Sequence, residues 1–286
     1  MLTTRFVEDA VRRALTEDAP WGDVTAELVI PAAARLETRL VARERGVFAG
    51  GPIVREAFRQ TDPRIEVHAL TEEGARFGAG DVLAEIAGPA RSILTAERVA
   101  LNFSQRLSGI ATLTARFVSA VSGSGARIAD TRKTTPGLRV FEKHAVRAGG
   151  GTNHRFSLSD AVMVKDNHLA ALGAVDDETT TAALRTLRQR VGHTTAIIVE
   201  VDRLDQVEAV ASANVTGILL DNFELADLKA AVQLVDGRAV CEASGGVDLS
   251  TVRDIAATGV DVISVGQLTH GARALDLGLD AVEGHE

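Results

Sequence analysis

AIIVEVDRLDQVEAVASANVTGILLDNFELADLKAAVQLVDGRAVCEASGGVDLSTVRDIAATGVDVISVGQLTH, residues Ala196 to His270, is the stretch that decides the fold. Four short apolar runs (AIIVEV, GILLD, AVCEAS and DVISVG) recur in it at a spacing of about 21 to 23 residues. The segments between them, RLDQVEAVAS, LADLKAAVQLV and DLSTVRDIAATG, carry apolar residues at helical spacing. That is the length and pattern of a compact βα unit. Alternating strands and helices imply parallel strands joined by right-handed crossovers. Strands buried on both faces read as near-continuous Val, Ile and Leu, as these do. Two runs further upstream, RIADTRK and AVMVKDNH, have the same form.

Six strands are therefore clear, and there is room for a seventh between Gly149 and Ser159. No G-x-G-x-x-G follows the first strand, and reactive residues mark every strand end rather than one switch point. Both features favour a barrel of the TIM kind over an open doubly wound sheet. With six or seven strands the barrel is expected to be open and incomplete.

Upstream the pattern is mixed α and β. FVEDAVRRALTED (Phe6 to Asp18) has helical spacing, and RLETRLVARERGVFAG (Arg35 to Gly50) partly alternates as a half-exposed strand does. GARFGAGDVLAEIAG (Gly74 to Gly88) has the punctuation of turns between short strands. SILTAERVALNFSQRLSG reads as a strong helix that continues past Gly109, and the domain change is expected near that glycine.

The chain has 286 residues, 45% of them hydrophobic and 24% charged, and a formal net charge of -8. Those are the values of an ordinary globular protein with ample material for a core. No apolar run approaches the roughly 18 residues of a membrane span. The amino terminus mixes acids into its apolar residues, so no export signal is expected and a cytoplasmic protein is the simplest reading. Cys241 is the single cysteine, which rules out an internal disulfide framework. The acidic balance, with one Trp and no Tyr, argues against nucleic-acid and membrane-surface binding.

Against that acidic background, Asp130 to Asp166 carries seven Lys/Arg and four Asp/Glu, with His144 and His154 in addition. Only four lysines occur in the chain, and Lys133, Lys143 and Lys165 all fall in this stretch. A helix ending at a glycine cap accounts for Lys143, His144 and Arg147, whose charge complements the helix dipole. It does not account for the others. In a barrel, side chains at the carboxyl ends of the strands converge on one face. That face would collect Arg132, Lys133, Lys165, Glu200, Asp221, Ser244 and His270, with His154 and Arg155 from an adjacent loop. The cations form an anion pocket, Arg presenting a planar fork and Lys a point charge. Glu200 and Asp221 on consecutive strands suit Mg²⁺ held partly by substrate phosphates, or the steadying of a developing positive charge. The Ser-Gly-Gly turn of ASGGVDLSTV before a helix, echoed in SVGQLTHGA, is a candidate phosphate seat. The residues thus call for a small substrate of several negative charges.

DTRKTTPGLR, EKHAVRAGGGTNHR, VKDNH, EVD, LLDNF, SGG and VGQLTH resemble the quinolinate phosphoribosyltransferase family in order and spacing. EDAPWGDVTAE, ARERGVFAG and ILTAERVALNFSQRLSGIAT resemble that family's amino-terminal domain, so the likeness runs from about Leu15 to Leu279. It implies an amino-terminal α/β sandwich over residues 1–108 and an open, TIM-like α/β barrel over 109–286, whose last 15 or so residues pack back on the first domain. It also implies a homodimer with a shared active site, open to higher assembly. The implied reaction joins quinolinate to 5-phosphoribosyl 1-pyrophosphate with Mg²⁺, giving nicotinate mononucleotide, pyrophosphate and CO₂.

Carried over by motif, Arg132, His154 and Arg155 hold the quinolinate carboxylates, and Arg98 from a second subunit completes the clamp. Lys133 and Lys165 lie between the substrates, while Glu200 and Asp221 face the ribose and the Mg²⁺–pyrophosphate; these four are the implied catalytic residues. Ser244, Gly245, Gly246 and Gly266 seat phosphate beside His270, and Thr131 and Gln267 join the substrate-binding set. His144 and Ala243 are small departures from the family pattern. Relatives acting on nicotinate or associated with molybdenum transport operons, a Schiff-base aldolase using Lys165, and a silent binding protein are the alternatives.

Overall fold

The computed structural model describes residues 2–174 and 176–282. Packing divides the chain into two compact units. One comprises Met1–Ala115, Thr135–Gly150 and Gly271–Glu286, and the other Arg116–Thr134 and Gly151–His270.

The first unit is built on a four-stranded antiparallel sheet. Its order is Leu277–Ala281, Arg35–Ala42, Val82–Pro89, Glu66–His68. The half-exposed strand expected from Arg35 runs only to Ala42, and a two-residue strand Gly46–Val47 then pairs with Arg76–Phe77. Helix Thr4–Asp18 buries Val7, Ala10 and Val11, the stripe that the helical spacing predicts. Helix Gly51–Thr61 buries Ile53, Val54, Ala57 and Phe58. Fully burying each such aliphatic or aromatic side chain contributes about 1.5–3 kcal/mol.

Ser92–Gly109 and its continuation form one 31-residue helix, Ala90–Ala120. Gly109 does not break it. A Cβ there would meet the Arg273 carbonyl oxygen at 1.9 Å, so the glycine is kept for close backbone approach rather than for a turn.

The second unit is a six-stranded sheet in the order Arg127–Ala129, Val262–Ser264, Val240–Ser244, Gly217–Asp221, Ile197–Val201, Val162–Val164, every pairing parallel. The helices Asp177–Arg190, Val207–Ala211, Leu225–Val235 and Val252–Ala256 separate strands that are neighbours in the sheet. Ile197, Val199, Ile218, Leu220, Val207, Val210, Leu228 and Val235 are buried within this unit. The result is an incomplete TIM-like barrel, as the repeat of strand and helix predicts. In the interval where a seventh strand has room, a single parallel bridge joins Ala129 to Thr152. The loop that follows it carries His154 and Arg155.

Among the described residues no helix is long and apolar enough to cross a membrane.

Candidate active site

Register in a parallel sheet fixes which side chains share a level, and alternation fixes which share a face. Asp221 pairs with Ser244 at one level, and Leu219 pairs with both Glu200 and Glu242 one step deeper. Glu200, Asp221, Glu242 and Ser244 therefore lie on one face of the sheet, all near its carboxyl edge. Lys165 follows Val164, the partner of Val199, and its Nζ donates to Glu200 Oε2. The lysine side chain is 44% exposed and the glutamate 20%, so the pair is open to an entering ligand on the lysine side.

Lys133, Gly266 and His270 converge. A Cβ on Gly266 would lie 3.1 Å from Lys133 Cδ and 3.2 Å from His270 Nε2, so the glycine leaves space against which both side chains rest. Thr269 Oγ1 donates to the Lys133 carbonyl oxygen at 2.6 Å, and the Lys133 N–H donates to Thr131 Oγ1 at 3.0 Å. Thr131 thus shapes the turn that presents Lys133. Gln267 opens the short helix Gln267–His270 and is exposed.

Arg132 and Arg155 are close enough to repel. Burial, and then the Arg132 charge, hold the Arg155 guanidinium below its ordinary pKa. Arg155 Nη1 donates to the Ala161 carbonyl oxygen at 3.1 Å, and among the described residues no carboxylate ion-pairs with either guanidinium. Two like charges held together without an acid partner form a receptor for an anion.

Gly245 and Gly246 both have positive φ, 93° and 61°. A Cβ on Gly245 would meet Asn222 Oδ1 at 2.1 Å, so glycine is required there on two counts. Asn222, itself left-handed at φ 57°, donates its N–H to the Ser244 carbonyl oxygen at 2.8 Å and its side-chain amide to Asp221 Oδ2 at 2.8 Å. The helix after this turn is only Val252–Ala256, and the N–H groups of Ser250 and Thr251 before it are taken by Asp248 Oδ1 at 2.7 and 3.0 Å. What the sequence offers as a phosphate seat is therefore the Ser-Gly-Gly backbone itself and not the helix end.

His154 precedes Arg155 in the loop after the bridge at Thr152. Its backbone N–H donates to Asp130 Oδ1 at 2.9 Å, and Asn153 Nδ2 donates to Asp130 Oδ2 at 2.6 Å. Asp130 is fully buried. Asp130, Asn153, Asn222, Glu242 and Ser264 are members of the site neighbourhood that the sequence reading did not single out. The signal was present for two of them: Glu242 is an acid inside an apolar run at the same parity as Ser244, and Asp130 closes the run RIAD.

Arg98 lies in the other unit, exposed on helix Ala90–Ala120. Cys241 is buried, and its thiol is pushed up to about 11 by burial and by Asp261, which leaves it a poor nucleophile near neutrality. No group of three or more His, Cys, Asp or Glu able to hold a metal occurs among the described residues.

Strand-end cations, two strand-end carboxylates and a glycine turn on an incomplete parallel barrel define an enzyme of the class that handles phosphorylated, multiply anionic substrates. The comparisons narrow that class. Residues 23–108 match the family described as "Quinolinate phosphoribosyl transferase, N-terminal domain", and residues 110–280 match its C-terminal domain. The chain belongs to the quinolinate phosphoribosyltransferase family. It is 44% identical over 280 residues to the nicotinate-nucleotide pyrophosphorylase [carboxylating] of Mycobacterium leprae, covering 95% of this chain and 96% of that one. A probable enzyme of the same name from Bacillus subtilis is 40% identical over 270 residues, covering 94% and 91%. The crystal structure of NadC from Streptococcus pyogenes superposes with a TM-score of 0.92 at 40% identity over 99% of each chain. Human nicotinic acid phosphoribosyltransferase, at 14% identity and a TM-score of 0.55 over 99% of this chain and 74% of that one, shares the fold alone.

Proposed function

We propose that this protein transfers the phosphoribosyl group of 5-phosphoribosyl 1-pyrophosphate to the ring nitrogen of quinolinate, with loss of CO₂, in the cytoplasmic synthesis of NAD. The observation that carries the reading is the Arg132–Arg155 pair, two guanidinium groups near enough for their charges to oppose each other, with no carboxylate ion-paired to either among the described residues. A pyridine with two adjacent carboxylates is the kind of anion that such a pair fits. The family and the names of the relatives support the same substrate.

In this reading Arg132 and Arg155 clamp the two carboxylates and so aim the ring nitrogen at the ribose. The Ser244–Gly246 backbone, with Gly266 and His270, seats the phosphate end of the donor. Lys133 and Lys165 draw on the pyrophosphate as it departs. Glu200 and Asp221 face the ribose carbon, where positive charge develops, and stabilise it electrostatically. Lys165 and Glu200, paired in the free protein, separate onto leaving group and ribose respectively. Once the ring nitrogen is bonded to the ribose it is positively charged and becomes an electron sink. The adjacent carboxylate leaves as CO₂, and the ring carbon takes a proton from water.

Glu200 and Asp221 are two hard carboxylates that would hold a Mg²⁺ brought in with the phosphates of the donor. The ion would supply positive charge to offset that of the pyrophosphate leaving group.

A homodimer sharing its sites is part of the proposal. Trp21, Val24, Leu28 and Val29 are 94%, 67%, 81% and 69% exposed, an apolar face suited to cover by a second copy. Leu94, 37% exposed, lies one turn before Arg98 on the same side of their helix. The aldolase alternative loses ground because Lys165 Nζ is engaged by Glu200 and is not presented as a free amine.

The test is a product assay with purified protein, Mg²⁺ and 5-phosphoribosyl 1-pyrophosphate, with quinolinate or nicotinate in parallel, read by mass spectrometry. Nicotinate mononucleotide from quinolinate alone is expected. Product from nicotinate alone, or from neither acid, would overturn the substrate assignment.

A further inference from the structure

Strand Arg127–Ala129 pairs on one side with Val262–Ser264, and on the other it has the single bridge from Ala129 to Thr152. The Thr152 N–H donates to the Ile128 carbonyl oxygen at 2.8 Å, and the Asp130 N–H to the Thr152 carbonyl oxygen at 3.1 Å. Beyond that point the Asp130 side chain takes over from the backbone. Its Oδ1 accepts the His154 main-chain N–H at 2.9 Å, and its Oδ2 accepts the Asn153 side-chain amide at 2.6 Å.

The sequence shows why a side chain is needed there. GGGTNHR has no apolar run to bury, so packing cannot fix this loop and polar contacts must. A carboxylate with no exposed surface is costly unless its oxygens are hydrogen-bonded, and both are. Being fully buried, Asp130 does not meet a ligand itself. Arg132 lies two residues further along the chain, and Arg155 directly follows His154. All of these residues belong to one compact unit. A single buried carboxylate thus stands at the root of both arms of the clamp.

We propose that Asp130 is a positioning residue for the anion clamp. By fixing the chain at Asn153 and His154, it holds the loop of His154 and Arg155 against the strand from which Arg132 springs. Its contact with His154 is through the main-chain N–H, so the imidazole and the Arg155 guanidinium keep their own parts in holding the ligand. The inference rests on the reading of Arg132 and Arg155 as the carboxylate receptor. Its physical content is preorganisation: guanidinium groups whose charges oppose each other must be kept together before the substrate neutralises them.

Charge and bracing predict opposite signs. A negative charge beneath an anion site weakens anion binding, so Asp130→Ala would tighten quinolinate binding if charge were all that mattered. With the brace removed and buried donors left without their acceptor, quinolinate affinity is instead expected to fall about tenfold or more. Inorganic pyrophosphate should lose less than about threefold, because Thr269 holds Lys133 independently. Calorimetric titration of each ligand into each protein reads these changes. Asn153→Asp sets two carboxylates in contact and is expected to weaken quinolinate binding as well. Adding Asp130→Asn to it exchanges acid and amide across the same hydrogen bond and keeps an oxygen for the His154 N–H. Quinolinate affinity is then expected to return to within about threefold of the unaltered protein. Unchanged or tighter quinolinate binding in Asp130→Ala, equal losses for both ligands, or no recovery in the exchanged pair would overturn the positioning role.

Amide hydrogen exchange read by mass spectrometry gives a readout independent of any ligand. Peptides covering residues 151–155 are expected to exchange about tenfold or more faster in Asp130→Ala, and at the original rate in the exchanged pair. A rise spread over the whole chain would mean a general loss of stability and would sink the local brace. If quinolinate fails to bind the unaltered protein, the functional reading fails, while hydrogen exchange still decides whether Asp130 braces the loop.

Discussion

Lys165 and Glu200 show how much of a site a single residue's place in a strand can reveal. A lysine directly after AVMV and a glutamate within AIIVEV are legible as strand-end groups, because parity and a sharp change in polarity are written in the sequence. Their pairing is not, since spacing gives a face and never a partner across the sheet. Asp130, Glu242 and Ser264 escaped for the same reason: their importance lies in what they touch. The pair carries a prediction. Glu200→Gln keeps an oxygen for Lys165 Nζ to donate to but removes the negative charge proposed to face the ribose. Turnover is expected to fall roughly 10²-fold, as for loss of one preorganised electrostatic group. Binding of quinolinate and of the donor should change by less than about threefold. Steady-state kinetics with direct binding measurements separate the two effects, and an unchanged turnover would remove Glu200 from the electrostatic role.

Secondary-structure elements were more legible than contacts, and their limits were physical. The regular βα repeat from Ile197 to Ser264 is visible because buried parallel strands are apolar throughout and their helices keep helical spacing. The strand Leu277–Ala281 is not visible, because LGLDA is too short and too rich in glycine and acid to differ from a loop until it pairs with Arg35–Ala42. The seventh strand reduced to one bridge at Thr152 for a related reason: GGGTNHR has no apolar run to bury. Helix Ala90–Ala120 yields the sharpest element-scale prediction. By propensity alone, Gly109→Ala inside a helix should stabilise by about 1 kcal/mol. The new Cβ would sit 1.9 Å from the Arg273 carbonyl oxygen, and a backbone oxygen cannot swing aside as a flexible side chain does. Destabilisation of about 1–3 kcal/mol is therefore expected, the range for overpacking. Chemical denaturation of the two proteins decides the sign, and a stabilised variant would mean that the two segments are free to separate.

At the scale of the whole molecule, the net charge and the strand-end cations act in opposite senses. A net charge of -8 repels anionic substrates at long range, while the strand-end cations attract them close by, so the clamp needs every cation it can gather. Arg98 is the one residue of the expected clamp that lies outside the barrel unit, and it is exposed. If Arg98 serves a second copy, each site is built from two chains, and two defects on different chains can be sorted into one ruined site and one intact site. Arg98→Ala and Arg132→Ala homodimers are each expected to lose most activity. Mixed under conditions that exchange subunits, they form heterodimers in which one site carries both defects and the other neither. At random exchange half of the dimers are heterodimers, so activity should return to about a quarter of that of the unaltered protein, on the order set by the intact sites alone. Exchange is checked independently by mass spectrometry of differently labelled chains. Exchange without recovered activity would place Arg98 in its own chain's site or outside the clamp altogether, and the apolar face around Trp21 would then need another explanation.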